Sequence, residues 1–235
     1  MTDAEHDFSK RLLLFDIDGT LLDACAGKFA LRDSMQSQFG IKEDFSGILL
    51  PGLTDEAIAR ALLVKNGIPV TQENITHLLE GYLMHLSAHI HHHQGRLIPG
   101  IAPLLQHLHL QPEYMLGLLT GNLMRGAEIK LTYYGIWHFF EFGAFSDDHY
   151  NRDELGKVAR LRAYQICGII FPSKYIYILG DTPSDIRCGK VIGARTVAVA
   201  TGEYSMKELA QFKPDFLFDN LLDTKRVLRS LSLLE

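Results

Sequence analysis

Two aspartates separated by a single residue, Asp16 and Asp18, are the residues of this chain best suited to chemistry. They follow the apolar run 12–15 and precede Gly19 and Thr20. In an extended backbone, residues two apart point to the same side, so the two carboxylates lie close together. Paired carboxylates are costly to hold unless a cation lies between them. This motif predicts a metal-dependent site, and the alternative is an ordinary turn that uses Asp and Gly.

A second acidic motif, 180–185, follows an apolar run at 175–179. Thr182 as N-cap, a proline next and Asp185 three residues after Thr182 predict the start of a helix with a capping box. Asp181 is not needed for that cap. A carboxylate directly after a buried strand is better explained as a metal ligand.

A third run of polar residues, Thr120-Gly121-Asn122, follows the apolar run 114–119. A hydroxyl and free backbone N–H groups at the junction of a strand and a helix suit an anion. The alternative is that Asn122 only caps the following helix.

The cation of such a site is predicted at Arg152, which follows another strand pattern. A guanidinium there could neutralise a phosphate or one of the carboxylates. The alternative for Arg152 is a surface pair with Asp153 or Glu154, and Lys157 is a rival cation one helical turn later.

The elements that must position these residues alternate between strand and helix after residue 99. Strands are predicted at 114–119, 140–145, 175–179, 195–199 and 216–218, and helices at 123–134, 153–167, 183–192 and through Val227 and Leu231. This alternation is typical of right-handed βαβ units and a parallel sheet, which the run 12–15 must join. Because ligands bind at the carboxyl ends of such strands, the polar motifs should meet at one edge.

The segment between the first strand and residue 99 has a helical pattern instead. One helix contains apolar residues from 29 to 39 and ends at Gly40, a second begins at Thr54 as N-cap, and a third covers about 72–92. We expect no strand in this segment. It is predicted to be a helical insertion in an α/β domain.

Taken together, the motifs resemble those of the haloacid dehalogenase-like hydrolase superfamily, and in particular its phosphoglycolate phosphatase-like branch. The residues that carry the resemblance are Asp16-Ile17-Asp18-Gly19-Thr20-Leu21 for the first motif, Thr120-Gly121-Asn122 for the second, and Gly180-Asp181 with Asp185 for the fourth. The third motif differs, since Arg152 stands where that superfamily usually has Lys. The resemblance covers nearly the whole chain, because Pro99-Gly100-Ile101, Lys130-Leu131 after the second motif, and Gly143-Ala144-Phe145 also look like that branch. It implies a Rossmann-like three-layer α/β core from residues 1–21 and 98–235, with a helical cap of the C1 type at 22–97.

By the same resemblance, the chain is expected to be a Mg²⁺-dependent phosphatase that acts on a small phosphate monoester through an aspartyl-phosphate. Asp16 would be the nucleophile and Asp18 the general acid and base. The metal would be held by Asp16, Asp18 through its backbone carbonyl, Asp181 and Asp185. The phosphate would be held by Thr120, Gly121, Asn122 and Arg152.

Three other functions compete with hydrolysis of a phosphate ester. The dehalogenases of the superfamily lack an acid at the position of Asp18, which favours phosphate as the substrate. The mutase branch carries a basic residue where this chain has Asp55, so a phosphosugar mutase is the less favoured alternative. A non-catalytic binding module on the same fold is the third. Thr54 and Asp55 are predicted to lie in the region of the cap that contacts the substrate, and helix capping is the alternative for Thr54.

Composition restricts the remaining classes. The chain has 235 residues, 47% hydrophobic and 22% charged, and a net charge of −5, with no basic block for a nucleic-acid partner. Three cysteines at unrelated spacings favour a reducing compartment, and no segment has the pattern of a signal peptide or a membrane span, so a cytoplasmic location is expected. The partner should be a small phosphorylated metabolite, and the sequence leaves monomer and homodimer open. Five histidines cluster at 85–93, and His85, His89 and His92 or His93 have a spacing suited to Zn²⁺ or Ni²⁺. A solvated helix end is the preferred interpretation.

Overall fold

A six-stranded parallel sheet forms the centre of the molecule in the computed structural model, which describes residues 10–234. Its strands are β1 (Arg11–Phe15), β4 (Tyr114–Leu119), β5 (Phe142–Ala144), β6 (Ile176–Gly180), β7 (Arg195–Val199) and β8 (Phe216–Phe218). Their order across the sheet is β5-β4-β1-β6-β7-β8. The predicted α/β class with a parallel sheet is confirmed.

The central strand β1 is buried on both faces, which explains its continuous apolar run. Leu13 and Phe15 pack in the larger apolar core on one face, and Leu12 and Leu14 pack in a second core on the other. Because alternate side chains of β1 enter cores on opposite faces, the sheet lies between two layers of helices, as expected of a three-layer core.

Three helices follow β1 in the chain: α1 (Ala26–Phe39), α2 (Asp55–Lys65) and α3 (Gln72–His89). α1 ends at Gly40 and α2 has Thr54 as its N-cap, as the sequence predicts. The expectation of no strand in this segment is wrong. Two two-residue strands, β2 (Leu22–Asp23) and β3 (Arg96–Leu97), form an antiparallel pair at its ends. Strands this short contain too few residues to show an alternating pattern.

The helices of the α/β part are α4 (Ile101–His109), α5 (Met124–Tyr133), α6 (Arg152–Cys167), α7 (Pro183–Val191), α8 (Met206–Ala210) and α9 (Thr224–Ser230). The helical patterns predict α5, α6, α7 and α9 to within a few residues, whereas α4 and α8 are additional. The capping box predicted for α7 is present, with Thr182 and Asp185 bonding to each other's backbone N–H groups.

The three inserted helices share the larger apolar core with one face of the sheet. Ala30 of α1, Leu62 of α2 and Leu78 of α3 belong to the same cluster as Phe15. Leu83 of α3 lies against Gly126 of α5. The insertion therefore packs directly on the α/β part. The division into a core of 1–21 and 98–235 and a cap of 22–97 is kept as a proposal, and residues 1–9 and 235 lie outside the described part of the chain.

Within residues 10–234, no helix combines the length and the apolarity needed to cross a membrane.

Candidate active site

The polar motifs meet where three neighbouring parallel strands end. Phe15, the last residue of β1, pairs with Leu118 of β4 on one side and Leu179 of β6 on the other. Asp16, Thr120 and Asp181 come immediately after or next to these pairs, so the parallel register brings them to one edge of the sheet.

Asp16 lies at the centre of this edge and is 4% exposed. One of its carboxylate oxygens, Oδ1, lies 2.9 Å from Nη2 of Arg152. Burial raises the pKa of Asp16 to about 6, although the charge of Arg152 and hydrogen bonds from Ile17 and Thr120 act in the opposite direction. The negative charge on Asp16 is therefore only partly compensated within the protein.

Three buried carboxylates form the acidic part of the site. Oxygens of Asp16, Asp181 and Asp185 all lie within 4.8 Å of one another, the one such group of three among residues 10–234. Burial, and then the charges of Asp16 and Asp185, raise the pKa of Asp181 well above its usual range. Three carboxylates opposite one guanidinium leave a deficit of positive charge, and an all-oxygen donor set suits a hard divalent cation.

The turn after β1 brings the backbone against Asp181. Gly19 has φ of +83°, and a Cβ on it would lie 2.3 Å from Oδ2 of Asp181. A Cβ on Gly202 would lie 1.8 Å from the same oxygen. Thr20 donates a hydrogen bond from Oγ1 to Oδ1 of Asp181 at 3.0 Å. The two glycines thus leave space for Asp181, and Thr20 fixes its orientation.

Arg152, the first residue of α6, is the cation that reaches this edge. Its Nη2 lies 2.5 Å from Oδ1 of Asp185 as well as close to Asp16, and the two carboxylates raise its pKa against the effect of burial. Lys157 instead pairs with Glu154 at 2.7 Å on the surface, where its side chain is 58% exposed. Of the two predicted candidates, the structure places Arg152 in the site and Lys157 outside it.

Asp18 has different partners from Asp16. Its Oδ1 and Oδ2 lie 2.9 and 2.6 Å from Nζ of Lys130, and Nδ2 of Asn122 donates to Oδ2 at 2.9 Å. The Asp18 side chain is 47% exposed, whereas that of Lys130 is 4% exposed. The Asp18 carboxylate is therefore paired with a buried cation on one side and open to solvent on the other.

Lys130 is a site residue to which the sequence analysis assigns no role, although Lys130-Leu131 is part of the family resemblance. It lies in α5 on the buried face with Ala127 and Leu131. A lysine within the apolar stripe of a helix is unusual, because a lysine is rarely buried unless it is paired. That break in the apolar stripe is the signal that could have identified it.

A family model described as haloacid dehalogenase-like hydrolase matches residues 13–199, most of the chain. The chain belongs to the haloacid dehalogenase-like hydrolases. The predicted family and the prediction of a hydrolase are therefore confirmed.

Curated relatives of this hydrolase include phosphoglycolate phosphatases. The one from Vibrio cholerae is 24% identical over 223 residues, covering 91% of this chain and 94% of the relative. The one from Nitrosococcus oceani is 25% identical over 219 residues, covering 92% and 96%. The solved structure of a hydrolase from Pseudomonas syringae has a TM-score of 0.71 at 20% identity and covers 94% of this chain and 99% of its own. This last similarity concerns the fold.

The loop after β4 in this hydrolase contains the predicted Thr120-Gly121-Asn122 motif. α5 has Leu123 as its N-cap residue, with no side-chain cap. Nδ2 of Asn122 bonds instead to Asp18 and, at 2.9 Å, to Oγ1 of Thr120, while its Oδ1 accepts from Lys130 at 2.7 Å. Helix capping by Asn122, the alternative considered from the sequence, is therefore not its role.

The start of α2 is fastened to the same loop. Thr54 donates from Oγ1 to the carbonyl of Tyr150 at 2.6 Å and accepts from the N–H of Ala57 at 3.1 Å, which is the predicted cap. The backbone N–H of Asp55 donates to the carbonyl of Gly121 at 2.7 Å, and its Oδ2 accepts from the N–H of Leu123 at 2.8 Å. Burial raises the pKa of Asp55 to about 6, against the charge of Lys130. A role of Thr54 and Asp55 in substrate choice stays a prediction.

The histidine cluster lies away from these residues, at the end of α3. Nε2 of His89 lies 2.7 Å from Asp33, and Nδ1 of His89 lies 3.1 Å from His93. His85 lies 3.0 Å from the hydroxyl of Ser37. The nitrogens of His85, His89 and His93 thus contact each other or residues of α1. Within residues 10–234, these histidines are not among the groups of three side chains close enough to share one metal ion.

Proposed function

We propose that this hydrolase is a Mg²⁺-dependent phosphatase that hydrolyses a small phosphate monoester through an aspartyl-phosphate on Asp16. The observation that carries the proposal is the separation of two neighbouring carboxylates into different surroundings. Asp16 is buried beside Arg152 and two further carboxylates, and Asp18 is half-exposed beside Lys130. A nucleophile and a proton carrier need surroundings that differ in this way.

The carboxylates fit a divalent ion. Asp16 and Asp181 are the proposed side-chain ligands, together with the backbone carbonyl of Asp18. Both oxygens of Asp185 already have protein partners, since Oδ1 lies by Arg152 and Oδ2 accepts from the N–H and hydroxyl of Thr182. Asp185 is therefore proposed to orient Arg152 rather than to bind the metal directly. When bound, Mg²⁺ would supply the positive charge that lets a carboxylate approach an anionic phosphate.

The chemical steps follow from the positions of the two aspartates. A carboxylate oxygen of Asp16 attacks phosphorus and forms a P–O bond as the ester P–O bond breaks. Asp18, in its protonated form, donates its proton to the departing oxygen. Asp18 then removes a proton from water, whose oxygen attacks phosphorus and releases inorganic phosphate and the carboxylate of Asp16. Over the cycle one water molecule is consumed, and Asp16 and Asp18 return to the protonation states in which they began.

The phosphoryl oxygens are proposed to lie against the strand ends. Thr120, the backbone of Gly121 and Asn122, and the guanidinium of Arg152 would provide donors that are already in place before the substrate arrives. The inserted helices, proposed as a cap, would cover the substrate and exclude water. The short distance from α2 to the Gly121 loop supports this, since Asp55 bonds directly to that loop.

Phosphoglycolate is the first substrate to test, because the curated relatives are phosphoglycolate phosphatases. The mutase alternative would need a basic residue at position 55. Asp55 is instead an acid, and it accepts a hydrogen bond from the backbone N–H of Leu123. A small phosphorylated metabolite as partner, a cytoplasmic location, and a monomer or homodimer remain predictions.

The test is release of inorganic phosphate from a panel of phosphate monoesters that includes phosphoglycolate and p-nitrophenyl phosphate, with Mg²⁺ or with EDTA. We expect release that requires Mg²⁺ and is lost in Asp16→Asn, whose side chain has nearly the same shape. A panel without any substrate would favour the non-catalytic alternative. Full activity of Asp16→Asn would exclude the proposed nucleophile.

A further inference from the structure

Lys130 has a buried ammonium that the proposed steps do not use. Its Nζ makes three contacts, with Oδ1 and Oδ2 of Asp18 at 2.9 and 2.6 Å and with Oδ1 of Asn122 at 2.7 Å. An ammonium has three protons, so these contacts use its donors fully. All of them point to residues at the strand ends.

The three residues form a closed arrangement of hydrogen bonds. Asn122 receives a bond from Lys130 through Oδ1 and gives one to Asp18 through Nδ2 at 2.9 Å. Lys130 contacts both oxygens of Asp18, and Asn122 contacts one of them. A carboxylate held at both oxygens cannot turn about its terminal torsion, which is otherwise broad.

The far side of Lys130 faces the inserted helices. A Cβ placed on Gly27 of α1 would lie 4.0 Å from Nζ of Lys130 and 3.9 Å from Oη of Tyr82, with no other atom nearer. Tyr82 of α3 is buried, and the charges of Asp55 and Asp18 add to the effect of burial in raising its pKa. Gly27 and Tyr82 thus bring α1 and α3, two of the helices proposed to cover the substrate, close to the ammonium of Lys130.

We propose that Lys130 is a positioning residue, which holds the carboxyl of Asp18 at the angle needed to protonate the leaving-group oxygen. This inference rests on the proposed phosphatase function and adds a residue to it. It concerns the orientation of Asp18 and makes no use of a proton on Lys130. Lys130 differs in this from two surface cations. Arg125, on the same helix, pairs with Glu80, and Lys157 pairs with Glu154, both on the surface.

The consequence is a dependence on the leaving group. General-acid assistance contributes typically 10²–10⁴-fold, and it matters most for an alkoxide, which leaves poorly without a proton. A p-nitrophenolate leaves without one. If Lys130 acts by orienting Asp18, its replacement must slow alkyl phosphates far more than p-nitrophenyl phosphate.

The experiment measures kcat/KM for Lys130→Met with p-nitrophenyl phosphate and with an alkyl phosphate hydrolysed by the wild-type protein. This ratio reports steps up to the first transfer, so slow release of phosphate from Asp16 does not disturb it. We expect a loss of roughly 10²-fold for the alkyl ester and less than about 3-fold for the aryl ester. Methionine has nearly the length of lysine and suits the apolar face with Ala127 and Leu131, and a thermal melt checks the fold. Arg125→Met is the matched control for loss of a cation on α5.

Three further variants separate positioning from other roles. Asp18→Asn is expected to stop at the phosphorylated Asp16, so it is compared through the single-turnover rate at which the leaving group is released. That rate should show the same dependence on the leaving group, and the double variant should be no slower than Asp18→Asn alone, because both changes remove one function. Lys130→Arg should recover part of the alkyl activity. An equal loss for both esters in a folded Lys130→Met would overturn the proposal, and so would additive losses in the double variant. A wild-type protein inert on all esters would instead count against the proposed phosphatase function.

Discussion

The carboxylates of Asp16 and Asp18 belong to one short motif but lie in different electrostatic surroundings. On the Asp16 side, three buried carboxylates share one guanidinium, that of Arg152. On the Asp18 side, the ammonium of Lys130 pairs with Asp18, whose side chain is 47% exposed, and its charge also acts on the buried carboxyl of Asp55. The Asp16 side therefore has the larger deficit of positive charge. This difference supports the proposal that the metal lies beside Asp16 and that Asp18 transfers the proton.

The backbone creates this difference within three residues. Asp16 continues β1, and its N–H donates to the carbonyl of Leu179 at the sheet edge. Ile17 is fully buried, and Asp18 bridges to Leu22 in the turn that contains Gly19. The chain turns away from the sheet after Asp16, and the side chain of Asp18 is therefore delivered to α5 rather than to the acidic cluster.

The largest expected effect comes from the Asp16 side, where three carboxylates share one guanidinium. Asp181→Asn removes a proposed metal ligand and should lower phosphatase activity on the order of 10³-fold at limiting Mg²⁺, since a bound metal contributes several kcal/mol to such reactions. The companion measurement is the melting temperature with and without Mg²⁺. We expect Mg²⁺ to stabilise the wild-type protein and not Asp181→Asn, whereas Asp18→Asn, on the side of Lys130, should keep the response.

The metal-free protein gives this comparison a pH dependence. Burial raises the pKa of Asp16 to about 6 and raises that of Asp181, so the folded state holds protons that the unfolded chain has released. The stability that these groups contribute is present below their unfolded pKa of about 4 and is lost as pH rises through the folded values. The melting temperature in EDTA should therefore fall between about pH 4 and 7 by more in the wild type than in Asp181→Asn. Equal slopes in the two proteins would contradict the proposed charge deficit.

The next effect concerns the cation of the Asp16 side. Arg152→Met should reduce kcat/KM about 10²–10³-fold, the cost of removing one preorganised donor to the transferring group. Unlike the loss expected in Lys130→Met, it should be similar for aryl and alkyl esters, because a phosphoryl contact is needed for both. Lys157→Met is the control, and its activity should stay at the wild-type level since Lys157 pairs with Glu154 on the surface. A larger loss in Lys157→Met would reverse the assignment.

The smallest effect is expected where α2 meets the strand ends. Asp55→Ala removes the acceptor for the N–H of Leu123 and should lower kcat/KM by roughly 10-fold or less, in line with one hydrogen bond. Asp55→Asn keeps an acceptor oxygen and should stay within about 3-fold of wild type. Similar losses in both variants would assign the role to the charge of Asp55, and a change in the ranking of anionic and neutral substrates would support the predicted role in substrate choice.

The sequence was sufficient to predict the fold class and the residues at the strand ends. Apolar runs locate β1, β4 and β6, and Asp16, Thr120 and Asp181 follow them directly, so parallel pairing alone brings them together. Arg152 and Lys157 could not be separated, because the choice depends on where α6 begins relative to β5. Lys130-Leu131 belongs to the family resemblance, but a role for Lys130 cannot be predicted from it, because Asp18 is distant in the chain and meets Lys130 only through the packing of α5. Asn122 was ambiguous since the same amide can cap a helix or bond to a side chain.

The most direct test of the central claim is the mass of the intact chain after mixing with Mg²⁺ and p-nitrophenyl phosphate. In Asp18→Asn, Asp16 can still displace a good leaving group, but no base activates the water that would remove the phosphoryl group. We predict that Asp18→Asn gains one phosphoryl group per chain, located on the peptide that contains Asp16, and that Asp16→Asn gains none. Phosphorylation of Asp16→Asn, or continued turnover of Asp18→Asn at the wild-type rate, would contradict the division of roles between the two aspartates.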